Sequence, residues 1–140
     1  MIRKATKEDI PILAAYMVAL WPHHTVLEME GELDAFMEQE GTAFFLAEEG
    51  GFAQCSLRYD YVEGTDSSPE GYLEGIYVVE SARKQGTARR LLKACEKWAK
   101  EKGCREFASD CELTNTQSLQ FHLNVGFAEA NRIICFTKKL

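Results

Sequence analysis

Leu73-Glu74-Gly75-Ile76-Tyr77-Val78-Val79, then Glu80-Ser81-Ala82, then Arg83-Lys84-Gln85-Gly86-Thr87-Ala88 is the stretch whose reading decides the fold. Its first part is aromatic and β-branched, the composition of a strand over Gly71 to Val79. Ala88, Leu91, Leu92, Cys95, Trp98 and Ala99 then recur at i, i+3, i+4 spacing. That period predicts a helix from about Thr87 to Lys102, which Gly103 ends. A strand therefore feeds a tight, glycine-bearing turn that opens a helix. The first N–H groups of a helix have no partner inside it, and with the helix dipole they form an anion site. Gly86 lets the backbone approach a phosphate closely, and Ala88 keeps the helix start slim. Arg83, Lys84, Arg89 and Arg90 add positive charge, so the element suits a diphosphate. It is neither a Walker loop nor the dinucleotide fingerprint, because GxxxxGK[ST] and GxGxxG are both absent.

Working outward toward the N-terminus, Phe52 to Asp60 and Thr42 to Glu48 read as strands joined by the Glu49-Gly50-Gly51 turn. Glu28 to Gln39 reads as a helix, with Leu33, Phe36 and Met37 inward. Ile10, Leu13, Ala14, Met17, Leu20 and Trp21 share the face of an earlier helix, which starts at the capping-box pattern Thr6 to Asp9 and stops at Pro22. Ile2 to Ala5 is a short first strand. Toward the C-terminus, Arg105 to Cys111 is a strand, and Thr114 or Asn115 caps a helix running to about Asn124. Gly126-Phe127 and Arg132 to Lys138 are expected to close the chain as β structure. The order β-α-α-β-β-β-α-β-α-β is an α/β fold, a mixed central sheet flanked by helices.

The chain has 140 residues, 46% hydrophobic and 27% charged, enough for one domain with a real core. No apolar run approaches the ~20 residues of a membrane span, and Met1 to Ala5 has no signal-peptide core. The expectation is a cytoplasmic protein. Five cysteines (Cys55, Cys95, Cys104, Cys111 and Cys135) with no CxxC pair argue against a disulfide framework or a zinc site, so no metal is expected. A net charge of -6 disfavours nucleic acid and anionic membranes and favours cationic ligands. Asp60, Glu63, Asp66, Glu70, Glu74, Asp110 and Glu112 gather in a few segments, which suits a ligand carrying several ammonium groups. Glu74 stands out, because a carboxylate inside an apolar strand is costly to bury without a partner.

Arg83-x-x-Gly86-x-Ala88 after a strand resembles the acyl-CoA-binding motif of the GNAT superfamily of N-acetyltransferases, Gln/Arg-x-x-Gly-x-Gly/Ala. Asn115 and the later Gly126-Phe127 match that family as well, and the element order fits its fold. A narrower resemblance is to the 6'-type aminoglycoside N-acetyltransferases. It rests on Leu20 to His24, on Tyr59 to Pro69, on Tyr72 to Ile76 and on Gly103 to Asp110, and spans nearly the whole chain.

The resemblance implies acetyl-CoA as co-substrate, with its diphosphate on Arg83, Lys84, Gln85, Gly86, Thr87, Ala88 and Arg89. Its pantetheine arm would lie along Ile76, Tyr77 and Val78 and touch Asn115. Trp21, Tyr61, Glu74 and Asp110 would line the antibiotic site. Asn131 stands where related enzymes can have an acid, and Phe136 where they can have a tyrosine. The family's usual tyrosine acid is replaced by His122. The implied chemistry is direct transfer in a ternary complex, with Glu74 as base, Asp110 second, His122 serving the departing thiolate, and no acetyl-enzyme. Alternatives are another small amine as acceptor (a polyamine or a peptide N-terminus) or a CoA-binding regulatory module without turnover. A homodimer paired through Arg132 to Lys138 is a further expectation by analogy.

Overall fold

A computed structural model describes every residue from Met1 to Leu140. The elements are β1 (Ile2–Lys4), α1 (Ile10–Leu20), α2 (Val26–Phe36), β2 (Thr42–Ala47), β3 (Gly51–Arg58), β4 (Glu70–Val78), α3 (Thr87–Glu101), β5 (Phe107–Ser109) and α4 (Thr116–Asn124). The Thr6 capping box closes a single 3-10 turn, and α1 follows it with Pro11 in its first turn, where no N–H is needed. Helix α2 begins earlier than the apolar spacing predicts, because the Thr25 hydroxyl accepts the Glu28 N–H at 3.2 Å and sets the start.

The five strands form one mixed sheet in the order β1-β2-β3-β4-β5, antiparallel except for the parallel pair β4–β5. Helix α3 lays Leu91, Leu92, Cys95 and Trp98 on one face, against Ala43, Ala53, Cys55 and Leu73. Helices α1 and α2 cover the other with Leu13, Met17, Met29 and Leu33, against Phe44, Leu46 and Phe52. This is the expected sheet flanked by helices.

Two irregularities in β4 position everything that follows. Gln54 pairs with Gly75 and Cys55 with Leu73, so Glu74 is one residue more than β3 can match. The bulge shifts the side-chain alternation by one. Leu73, Ile76 and Val78 all pack with the α3 core, while Tyr77 packs with the α1 and α2 core. The second irregularity is a fork. β5 pairs with Gly71, Tyr72 and Leu73 and goes no further, so Glu74 to Val78 have a strand neighbour on the β3 side only.

The C-terminal end corrects the sequence reading. β5 has three residues rather than the stretch Arg105 to Cys111, and neither Gly126-Phe127 nor Arg132 to Lys138 forms a strand. Ile133, Ile134 and Phe136 are 67%, 80% and 86% exposed. Their β propensity is real, but a strand needs an edge to pair with, and this segment meets none within its own chain.

Candidate active site

The turn after β4 is built as an anion cradle. Gly86 caps α3 with φ +79°, in the left-handed region, and offers no side-chain cap. The N–H groups of Gly86, Thr87, Ala88 and Arg89 find no acceptor in the chain; the first intrahelical bond is Arg90 N–H to the Gly86 carbonyl. Lys84 also holds a positive φ, 63°, a strained state for a side-chain-bearing residue. Thr87 is buried, and its hydroxyl donates to the Ala82 carbonyl at 3.3 Å, pinning the turn.

Not every basic residue of this segment is free. Arg83 folds back so that its Nε donates to the Val78 carbonyl at 2.8 Å. Arg89 donates to the Asn124 carbonyl, tying α3 to the end of α4. Arg90 pairs with Glu49 at 2.6 Å. Gln85 turns its amide onto the Ser81 carbonyl.

Beside the fork, a cavity of ≈ 360 Å³ is lined by Met17, Trp21, His23, His24, Met29, Glu32, Phe36, Gln54 and Glu74. The bulge places Glu74 and Gly75 consecutively toward it. A Cβ on Gly75 would lie 2.7 Å from the Trp21 ring, so glycine is what lets the indole seat against the strand. Glu74 is held firmly. Arg58 donates to both of its carboxylate oxygens, at 2.8 and 3.1 Å, and the Ser56 hydroxyl donates to one of them. The Arg58 guanidinium lies 3.5 Å from the centre of the Tyr72 ring, and the Tyr72 hydroxyl donates to Asp110. Burial first, then that carboxylate, push the Tyr72 phenol well above its ordinary range, so it stays a donor. Arg58 is likewise raised, chiefly by its hydrogen bonds to Glu74.

On the far side of the fork, His122 has both ring nitrogens engaged. Nδ1 lies 2.7 Å from the Ser118 carbonyl, which can only accept, so Nδ1 carries the proton. Nε2 shares a hydrogen bond with the Ser109 hydroxyl, 2.8 Å away. Ser109 is the last residue of β5 paired with β4, opposite Leu73, and so stands where the strands part. Asn115 caps α4, its Oδ1 accepting the Ser118 N–H at 3.1 Å. This resolves the choice between Thr114 and Asn115.

Residues 10–127 match the model of the acetyltransferase (GNAT) family.

The chain belongs to the GNAT acetyltransferase family.

The aminoglycoside N(6')-acetyltransferase type 1 of Serratia marcescens is 38% identical over 145 residues, which cover 100% of this chain and 99% of that one. A solved structure of AAC(6')-Iy with the bisubstrate analogue CoA-S-monomethyl-acetylneamine superposes with a TM-score of 0.94 at 37% identity, covering 100% of this chain and 98% of that one. AAC(6')-Iy in complex with CoA superposes at 0.95 and 37% identity, covering 100% and 95%.

In this GNAT chain the residues expected from sequence divide into two groups. Trp21 and Glu74 line one cavity, and Asp110 joins them through Tyr72 and Arg58. Tyr61 is 74% exposed and does not line that cavity; its hydroxyl accepts the Gly64 N–H. Asn131 is also outside, donating to Glu63 at 2.8 Å and tethering the C-terminal segment to the loop before β4. Glu70, counted among the cleft acids from sequence, is 1% exposed and accepts from the Thr65 hydroxyl instead.

Arg58, Ser56, Tyr72, Ser109, Gln54 and Glu32 were not singled out from sequence. Each is an ordinary polar residue in its own segment, and cross-strand pairing alone brings Arg58 onto Glu74. Three cysteines are buried, two are exposed and none is paired. No group of three His, Cys, Asp or Glu side chains could hold a metal, and no helix is long and apolar enough to cross a membrane.

Proposed function

We propose that this chain transfers the acetyl group of acetyl-CoA to the 6'-amine of an aminoglycoside, by direct attack within a ternary complex. The observation that carries the reading is the continuity of unsatisfied donors. The free edge of β4 from Glu74 to Val78 runs onto the unpartnered N–H groups that open α3, and the acid-lined cavity opens beside that edge at Glu74. The residues fit coenzyme A. The α3 mouth would take the diphosphate, with Lys84 as the nearby cation, and the strand edge would take the amide-bearing arm as an added strand. Asn115 keeps its Nδ2 donor for the same arm.

Bound acetyl-CoA would supply an activated thioester; the chain's own groups do the rest. A β4 N–H polarises the thioester carbonyl. Glu74, directly or through a water, takes the proton that frees the amine lone pair. The new C–N bond forms as the C–S bond breaks, and the second proton, which the nitrogen sheds on becoming an amide, passes through water to the departing thiolate. The Ser109 hydroxyl, where the strands part, swings from His122 Nε2 to hydrogen-bond the sulfur as it leaves, and His122, held through Nδ1 by the Ser118 carbonyl, positions that hydroxyl. The similarity to aminoglycoside 6'-acetyltransferases over the full chain supports this acceptor over a polyamine or a peptide N-terminus. The presence of Glu74 and Asp110 at the fork speaks for turnover rather than a binding module. The test is CoA release with acetyl-CoA against aminoglycosides, polyamines and peptides. Release with aminoglycosides is expected; saturable acetyl-CoA binding without release for any amine would favour the module.

We also infer a homodimer. The exposed Ile133, Ile134 and Phe136 and the unpaired outer edge of β5 are mutually suited to strand pairing between copies. Sedimentation should give twice the 15.8 kDa chain mass, and removal of Arg132 to Leu140 should give the monomer. A monomeric intact chain would contradict the pairing.

A further inference from the structure

A guanidinium in a cleft meant for polycations needs a reason. Arg58 closes β3, paired with Glu70 of β4, and reaches along the face it shares with Ser56 to Glu74. Its fork fills one site on each oxygen of Glu74, and Ser56 fills another. A carboxylate has about four lone-pair sites, so Glu74 has about one left for an incoming ammonium. The Arg58 side chain is itself 43% exposed, and beyond Glu74 it lies against the face of Tyr72, with Asp110 nearby. It is anchored well enough to hold Glu74, yet on the solvent side, where it can be replaced.

We propose that Arg58 is a built-in counter-cation of the acceptor cleft, a specificity-determining residue that surrenders Glu74 only to acceptors carrying several ammonium groups. A monoamine meets a carboxylate already neutralised and a like charge beside it. A polyamine sugar brings further cations to Glu32 and Asp110, and their combined attraction displaces the guanidinium from Glu74. Arg58 thus acts through Glu74 and takes no part in the chemical step. This inference rests on the acetyltransferase reading above and refines its acceptor class.

The experiment compares wild type, R58Q and R58K with two acceptors, a kanamycin-like tetra-amine and 6-amino-6-deoxyglucose, which carries one amine. Wild type must first turn over the tetra-amine; failure there would sink the acetyltransferase reading and this inference with it, whereas an active wild type lets the variants test Arg58 alone. With wild type active, R58Q should improve kcat/KM for the monoamine roughly tenfold, chiefly through KM, and so narrow the preference between the two by the same order. R58K, keeping the charge, should retain the wild-type preference. Thermal unfolding of each variant reports whether it is folded. If folded R58Q loses kcat equally for both acceptors, with the preference unchanged, Arg58 merely holds Glu74 in place and the proposal is overturned. A larger preference for the tetra-amine in R58Q would overturn it as well.

Discussion

Gly75 sits directly against Trp21: a Cβ at Gly75 would approach the ring carbons Cη2 and Cζ2 to 2.7 and 2.8 Å and the Leu20 side chain to 3.1 Å. The bulge at Glu74 turns Glu74 and Gly75 toward the cavity that Trp21 and Glu74 line, so the indole's position and the strand's irregularity are one feature. G75A should therefore push the end of α1 outward and cost about 1–3 kcal/mol by overpacking. The acceptor KM should rise while acetyl-CoA binding, measured by calorimetry, stays as in wild type. An equal loss for both substrates would separate Trp21 from the acceptor.

Gly86 carries the corresponding test for the proposed acetyl-CoA site. Its φ of +79° costs an L side chain about 1 kcal/mol, and a Cβ there would meet Arg90 Nη1 at 3.2 Å. G86A should raise the KM for acetyl-CoA by about tenfold through a displaced α3 mouth, with the acceptor KM little changed. Initial-rate kinetics with each substrate varied in turn would check this. An unchanged acetyl-CoA KM would place the diphosphate elsewhere.

Ser109 is the residue His122 reaches. S109A should lower kcat by about tenfold at unchanged acetyl-CoA KM, as expected when a hydrogen-bond donor to the departing thiolate is lost. H122N should act in the same direction, and the double variant should fall no further than the worse single one. Additive losses would mean that the two do not act in series.

Much of this was readable from residue types, and the remainder depended on pairing. Gly86 was legible because few other residues enter a left-handed turn at low cost. Glu74 was legible because a carboxylate in an apolar strand needs a partner. The bulge was not, since a one-residue phase shift in a glycine-bearing strand is defined only against β3. For the same reason Arg58 carries no signal in the sequence: its partner is 16 residues away and becomes a neighbour only through the pairing of β3 with β4. The acid-rich loop was over-read, because Glu70 turns inward to Thr65 and Glu63 is taken by Asn131. The C-terminal segment was over-read differently, since strand propensity at Ile133 and Ile134 does not supply an edge.

Asp9 links the N-terminus to pH. Hydrogen bonds from Arg3 first and from the Thr6 N–H second hold its carboxyl far below the ordinary 3.8. A folded-state value below the unfolded one means the stabilisation is complete above about pH 4 and is lost as pH falls toward the depressed value. D9N should cost about 1 kcal/mol at pH 7 by urea unfolding, and its gap from wild type should close below pH 4. A gap that stayed constant from pH 7 to pH 3 would mean that Asp9's charge contributes nothing.

The central claim concerns one amine and one thioester. It is tested most directly by following free CoA thiol with acetyl-CoA and two kanamycin-like acceptors identical except at the 6' position, one bearing an amine and one a hydroxyl. Steady thiol release with the 6'-amine and only background release with the 6'-hydroxyl is the expected result. Equal release with both, or none with the 6'-amine, would contradict it.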